Sequence, residues 1–245
     1  MLCRLCNTSA PLIRAHTIPR CFFEAVRGQA THAVFIKTGS RKHTTTSQSG
    51  VFDKDMLCSA CDRMLGKDDG YAHSIIGHPP PDTALRYDRD GAPVAYDLGA
   101  ITADRVIRFL ISVLWRAHWS KHYFFSHVRL GPYEERIRQV LLGGGEAPQT
   151  SAQCILIRYF DGPYDGCVYP PWAFRFDGGL RIYRLYLPHY LALINLSDRR
   201  FPMPFARMII SDSNSIAVRM SFKNSPDARY LSELRAELRK IKTST

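Results

Sequence analysis

Apolar positions change their spacing twice along this 245-residue chain. Up to about residue 80 they come in short bursts between cysteines. "LIRAHTIPR", residues 12–20, reads as a short strand that Pro19 terminates. From residue 28 to 50 the chain is basic and rich in Ser, Thr and Gly, an elongated loop with one strand at "HAVFIK". "GVFDKDMLC" is extended, and "CSACD" then feeds a helix over about 59–75, weakened by Gly66 and Gly70. Three prolines in "GHPPPD" break the chain at 77–82, because proline cannot continue a helix. "RYDRDGAPVAYD" follows as a hairpin or loop connection.

Helical spacing then takes over. Val106, Phe109, Leu110, Val113, Leu114 and Ala117 recur at three and four residues, an apolar stripe on a helix over about 102–125. "GPYEERIRQVLL" repeats the spacing in a shorter helix, with Pro132 suited to its first turn and Gly143 stopping it. Beyond residue 150 the runs "QCILIRYF", "WAFRF", "LRIYRLYL", "YLALINL", "ARMII" and "SIAVRMSF" are short, β-rich and separated by turn residues. They predict an antiparallel sheet. The last stretch closes as an amphipathic helix, with Ser225 as its cap and Leu231, Leu234, Leu238 and Ile241 as its seam. The fold class is α+β, in two parts: a cysteine-rich unit over 1–80, and a unit over 85–245 whose antiparallel sheet is packed by helices on one face.

Charge narrows the partners. Thirty-three Lys and Arg against 22 Asp and Glu leave +11, spread along the chain and so carried by folded surfaces, which attract polyanions such as nucleic acid. The longest apolar run, "FLISVLW", is too short to span a bilayer, and "MLCRLC" lacks a signal-peptide layout. The expectation is a cytoplasmic protein with no membrane partner.

Four of the seven cysteines form two Cys-x-x-Cys pairs, Cys3/Cys6 and Cys58/Cys61. Thiolates at this spacing turn two sulfurs toward one point, and two such knuckles complete a tetrahedral structural zinc site. A redox dithiol, the competing reading, needs only one pair. Cys21, Cys154 and Cys167 stand alone and are expected to be small buried residues.

Cys3 and Cys6, "AHTIP" at 15–19, "FDKDMLC" at 52–58 and "CSACD" at 58–62 together resemble the HNH endonuclease family, whose ββα-metal fold is built on a treble-clef zinc site. The resemblance covers the first third of the chain. It implies a metal-dependent DNA endonuclease that nicks one strand. His16 matches the general base that takes a proton from the attacking water, a task suited to imidazole. Asp62 matches a ligand of the catalytic divalent ion, Mg²⁺ or Mn²⁺, and Asp53 matches a residue shaping the loop beneath the base. Arg20, Arg41, Lys42 and Lys54 are the candidate phosphate contacts. By analogy with HNH proteins that carry an extra domain, the setting is antiviral defence, with DNA and a protein from a defence operon as partners.

The chain departs from the family at Ala15, where many relatives place a second metal ligand, and it has Asp where the family name would want Asn and His. Asp69 shares a helix face with Asp62 but sits about 10 Å further along the axis, so Asp53 or Asp55 is the better second oxygen ligand. Asp68 and Asp69 read as a solvated face, and His118 and His122 as packing residues. His16 can also be read as a packing residue beside the zinc knuckle, and Asp62 as an acid favoured by a helix N-terminus. Those readings give the alternative function, a non-catalytic zinc module that binds DNA or protein.

Overall fold

The computed structural model describes residues 1–27, 33–36, 44–47, 50–161, 168–225 and 228. Arg41, Lys42, Cys167 and the seam of the expected C-terminal helix lie outside the described residues.

The N-terminal unit is built on a thread of antiparallel backbone. Strand β1, Ala15–His16, pairs with β4, Phe52–Asp53, placing Ala15 opposite Asp53 and His16 opposite Phe52. The pairing continues through Thr17 N–H to Val51 O at 3.1 Å and Ile13 N–H to Leu57 O at 2.9 Å. Between them stand helix α1, Arg20–Arg27, and a ribbon of β2, Ala33–Ile36, with β3, Thr44–Ser47. The ends of β1 and α1 almost meet: Phe22 N–H bonds Pro19 O at 3.1 Å, so Pro19 opens a helix where only a strand end was expected. Helix α2, Ser59–Ile76, starts at the second knuckle as its spacing predicts.

The 80–85 stretch leads into a hairpin of β5, Leu85–Tyr87, and β6, Pro93–Asp97. Helix α3, Ala103–Trp119, follows, then α4, Tyr133–Leu142, and the short α5, Pro148–Ser151. Helix α3 stops at Ser120, short of the expected 125, because Ser120 turns extended and Tyr123–Phe125 form a separate 3-10 turn. Gly143 ends α4 in the left-handed conformation (φ +79°) that glycine adopts without strain.

Strands β7 (Gln153–Tyr159), β8 (Tyr169–Phe176), β9 (Leu180–Tyr186), β10 (Leu191–Asn195) and β11 (Ile216–Met220) join the hairpin in one seven-stranded sheet, ordered β5-β6-β11-β7-β10-β9-β8. The expected purely antiparallel sheet is corrected here, because β11 runs parallel to β7. Both flanks of β10 are taken by β7 and β9, and β11 lies on the side of β7 that β10 leaves open. The "ARMII" strand is also corrected: Phe205–Met208 form a 3-10 turn that opens after Pro204, and proline cannot donate to a ladder.

Alternate residues of the sheet face opposite ways. Cys154, Leu156, Tyr183, Leu185, Ala192, Ile194 and Ala217 join the core around α3, while Ile155, Ile157, Ile182, Leu191, Leu193 and Val218 join a second, aromatic-rich cluster. Helix α3 is buried almost all round, more than a one-sided stripe requires, because it lies between sheet and N-terminal unit. Phe22 of α1 stacks on Phe109 of α3 with centroids 5.1 Å apart. The hydrophobic core therefore continues across the 80–85 boundary, from Cys3 to Ala217.

Candidate metal centre and catalytic strand

The first knuckle turns because Asn7 takes a left-handed backbone (φ +57°), letting Asn7 N–H return to Cys3 O at 2.9 Å. Arg4 N–H bonds Met56 O at 2.9 Å, which brings the second knuckle alongside. Cys58 then caps α2 and Cys61 lies in its first turn. The sulfurs of Cys3, Cys6, Cys58 and Cys61 all lie within 4.8 Å of one another, and Cys6 and Cys58 are 3.9 Å apart. A tetrahedron of sulfurs about 2.3 Å from zinc has edges of about 3.8 Å. The cluster can therefore hold a metal ion such as zinc. Cys58 N–H also points at Cys3 Sγ, 3.4 Å away. Hydrogen bonds from Thr8 hold the Cys6 thiol down to about 6, toward the thiolate that binds metal.

His16 stands half-buried on β1, its ring edge-on to Phe52 at 6.1 Å. Asp62 projects from the first turn of α2, also half-buried. Burial raises its pKa, while the nearby charges of Arg116 and His16 lower it and Asp69 raises it. The two groups selected from sequence stand on a strand and a helix that flank the cysteine cluster, β1 following the first knuckle and α2 starting at the second.

Asp53 has a different surrounding. It is 8% exposed, and its Oδ2 accepts from Lys121 N–H at 2.7 Å and Ser120 Oγ–H at 3.4 Å. Its Oδ1 accepts from Asp55 N–H at 3.1 Å. These are the contacts of an orienting side chain, one that fastens β4 to the end of α3. Asp53→Ala should lower unfolding stability by about 1–3 kcal/mol, because the half-buried N–H groups of Lys121 and Asp55 lose their acceptor. A urea titration measures this, and an unchanged midpoint would contradict it. Asp55, the other candidate ligand, forms an exposed ion pair with Lys121 at 2.7 Å.

The solvated face expected at Asp68 and Asp69 is not there. Asp69 is 9% exposed and takes a two-pronged contact from Arg116, at 2.7 and 2.9 Å. Asp68 receives Arg105 at 2.9 Å and Arg108 at 3.6 Å. Helix α3 packs along this face of α2 and brings all three arginines. His118 and His122 keep their packing roles: the Nδ1 of each accepts a backbone N–H, from Leu130 at 3.5 Å and Phe124 at 3.2 Å. Arg20 is exposed and paired with Glu24 at 2.9 Å, and Lys54 is exposed. Cys154 is fully buried, and burial pushes the half-buried Cys21 thiol up to about 11.

The residue that sequence reasoning missed is Arg116. Its signal was present, a cation that directly follows the apolar run of α3, between Trp115 and Ala117. The second unit also grips the first knuckle elsewhere. Arg138 of α4 donates to Leu5 O at 2.7 Å, and Arg4 lies over the Trp119 ring at 4.7 Å. Glu134 accepts from both Trp115 and Trp119 indoles, at 2.8 and 2.9 Å.

Among the described residues, no helix is long and apolar enough to cross a membrane. Comparison with family models, curated proteins and solved structures finds no match.

Proposed function

We propose that the chain is a metal-dependent DNA endonuclease of the HNH type, which nicks one strand. One observation carries this reading. His16, on a strand paired to the approach of the second knuckle, and Asp62, on the helix that knuckle starts, lie on elements bridged by one side chain, Arg116, which bonds His16 O at 3.1 Å and Asp69 of the same helix at 2.7 Å. In the proposed reaction the His16 imidazole removes a proton from the water that attacks phosphorus. The Asp62 carboxylate would hold a divalent ion, Mg²⁺ or Mn²⁺, whose chemistry is to stabilise charge on the leaving oxygen. Zinc in the cysteine cluster is structural. Arg20, Arg41, Lys42 and Lys54 are the proposed phosphate contacts, and the setting by analogy is antiviral defence in the cytoplasm.

A second reading, a non-catalytic zinc module that binds DNA or protein, is favoured by two facts. Position 15 offers only a methyl group, and the carboxylates of Asp53 and Asp69 are already engaged by α3. Supercoiled plasmid incubated with protein and Mg²⁺ or Mn²⁺ separates the two. Nicked circles from the wild type, absent with His16→Ala, support the enzyme. Nicking that persists in His16→Ala overturns the assigned base.

A further inference from the structure

A buried guanidinium has to satisfy five N–H donors, and Arg116 satisfies all of them. Its Nε bonds Ser112 O at 3.3 Å, and Nη2 bonds Ser112 Oγ at 2.9 Å and Asp69 Oδ1 at 2.7 Å. Its Nη1 bonds Asp69 Oδ2 at 2.9 Å and, at 3.1 Å, the carbonyl oxygen of His16. The side chain is 2% exposed. Three elements meet at this one planar group: α3, which carries it, α2 through Asp69, and β1 through the backbone of His16.

An apolar pair of similar volume often fills such a place with no loss of stability, so core packing alone does not explain a buried ion pair. Geometry supplies another reason. Asp69 lies seven residues, two turns, beyond Asp62 on the same helix face. The guanidinium therefore sets the height of the His16 backbone against the helix that carries Asp62. The end of α3 clips the partner strand as well, since Lys121 N–H holds Asp53 of β4, opposite Ala15.

We infer that Arg116, supplied by the second unit, is the positioning residue for His16, fixing the base strand against the helix that bears Asp62. The inference builds on the proposed nuclease reading, and a spectroscopic measurement tests it independently of cutting. Lysine cannot stand in, because one ammonium lacks the fork that reaches Asp69 and His16 O together.

The test compares the full-length wild type with Arg116→Met/Asp69→Leu and with Arg116→Lys. The double variant removes both buried charges at once, so it leaves no orphan charge. Zinc content and the urea midpoint report the fold, and the His16 ring ¹H–¹³C resonance, assigned by its loss in His16→Ala, reports position. Both variants should stay folded while the His16 ring resonance moves and broadens. In the nicking assay kcat should fall about 10- to 100-fold with KM for plasmid within about two-fold, as a small misplacement of a catalytic group does. His16 resonances that superimpose on the wild type in a folded double variant would overturn the inference. If the double variant does not fold, superposition in Arg116→Lys is equally decisive against it. A wild type that does not cut defeats the nuclease reading alone, because the resonance still decides whether Arg116 holds His16.

Discussion

Removing the metal from the cysteine cluster, or replacing Cys58 with serine, should open the N-terminal knuckles while leaving the sheet intact. Strands β1 and β4 are two residues each, too short to hold together by pairing alone. Structural zinc supplies roughly 10–16 kcal/mol in small zinc modules, more than the stability of many whole domains. Part of this unit has other support. Phe22 stacks on Phe109, and Leu65, Ala72 and Ile76 of α2 are buried in the core shared with α3. The loss should therefore be local. Wild-type protein should contain about one zinc per chain, as four thiolates at one point require. On adding a chelator, amide exchange should accelerate at Arg4, Ile13 and Thr17, whose N–H groups bond Met56, Leu57 and Val51 across the knuckles. Amides of β7 and β10 should stay protected. Full zinc loss with unchanged exchange at those three amides would remove the metal from the account of the fold.

The second large effect is on rate. His16→Ala should reduce metal-dependent nicking by about 10²- to 10⁴-fold, the usual worth of a positioned general base. Affinity for plasmid should stay within about three-fold, since the proposed phosphate contacts are basic side chains elsewhere. Agarose gels resolve supercoiled from nicked circles, and a filter-binding assay reports affinity. A variant that loses binding and cutting equally would identify His16 as a contact residue and not a base.

Much of this arrangement was legible from local spacing. The two knuckles, α2, the glycine stop of α4 and the strands β7, β9 and β10 follow from residues close together in the chain. What escaped depends on distant partners. Asp69 looked solvated because its partner Arg116 lies in another helix, and no local rule connects "KDDG" with "LWRAH". Asp53 reads from sequence as an orienting residue or a ligand, and the N–H that engages it belongs to distant Lys121. Helix α1 was hidden behind Pro19, which was read as an end when it is also a beginning. The parallel pairing of β11 likewise depends on a distant partner, since β7 lies some sixty residues earlier in the chain.

That edge position bears on the order in which the protein can be made. The hairpin of β5 and β6 leaves the ribosome early, yet its one neighbour in the sheet is β11, some hundred and twenty residues later: Ala217 lies opposite Tyr96 and Val218 opposite Ala95. During synthesis the hairpin must wait, unpaired along that side, until residues 216–220 emerge. Closing so long a loop is slow. A nascent chain is thus exposed to wrong partners along β6 while about half of the sequence is made, and β11 then joins the hairpin to β7.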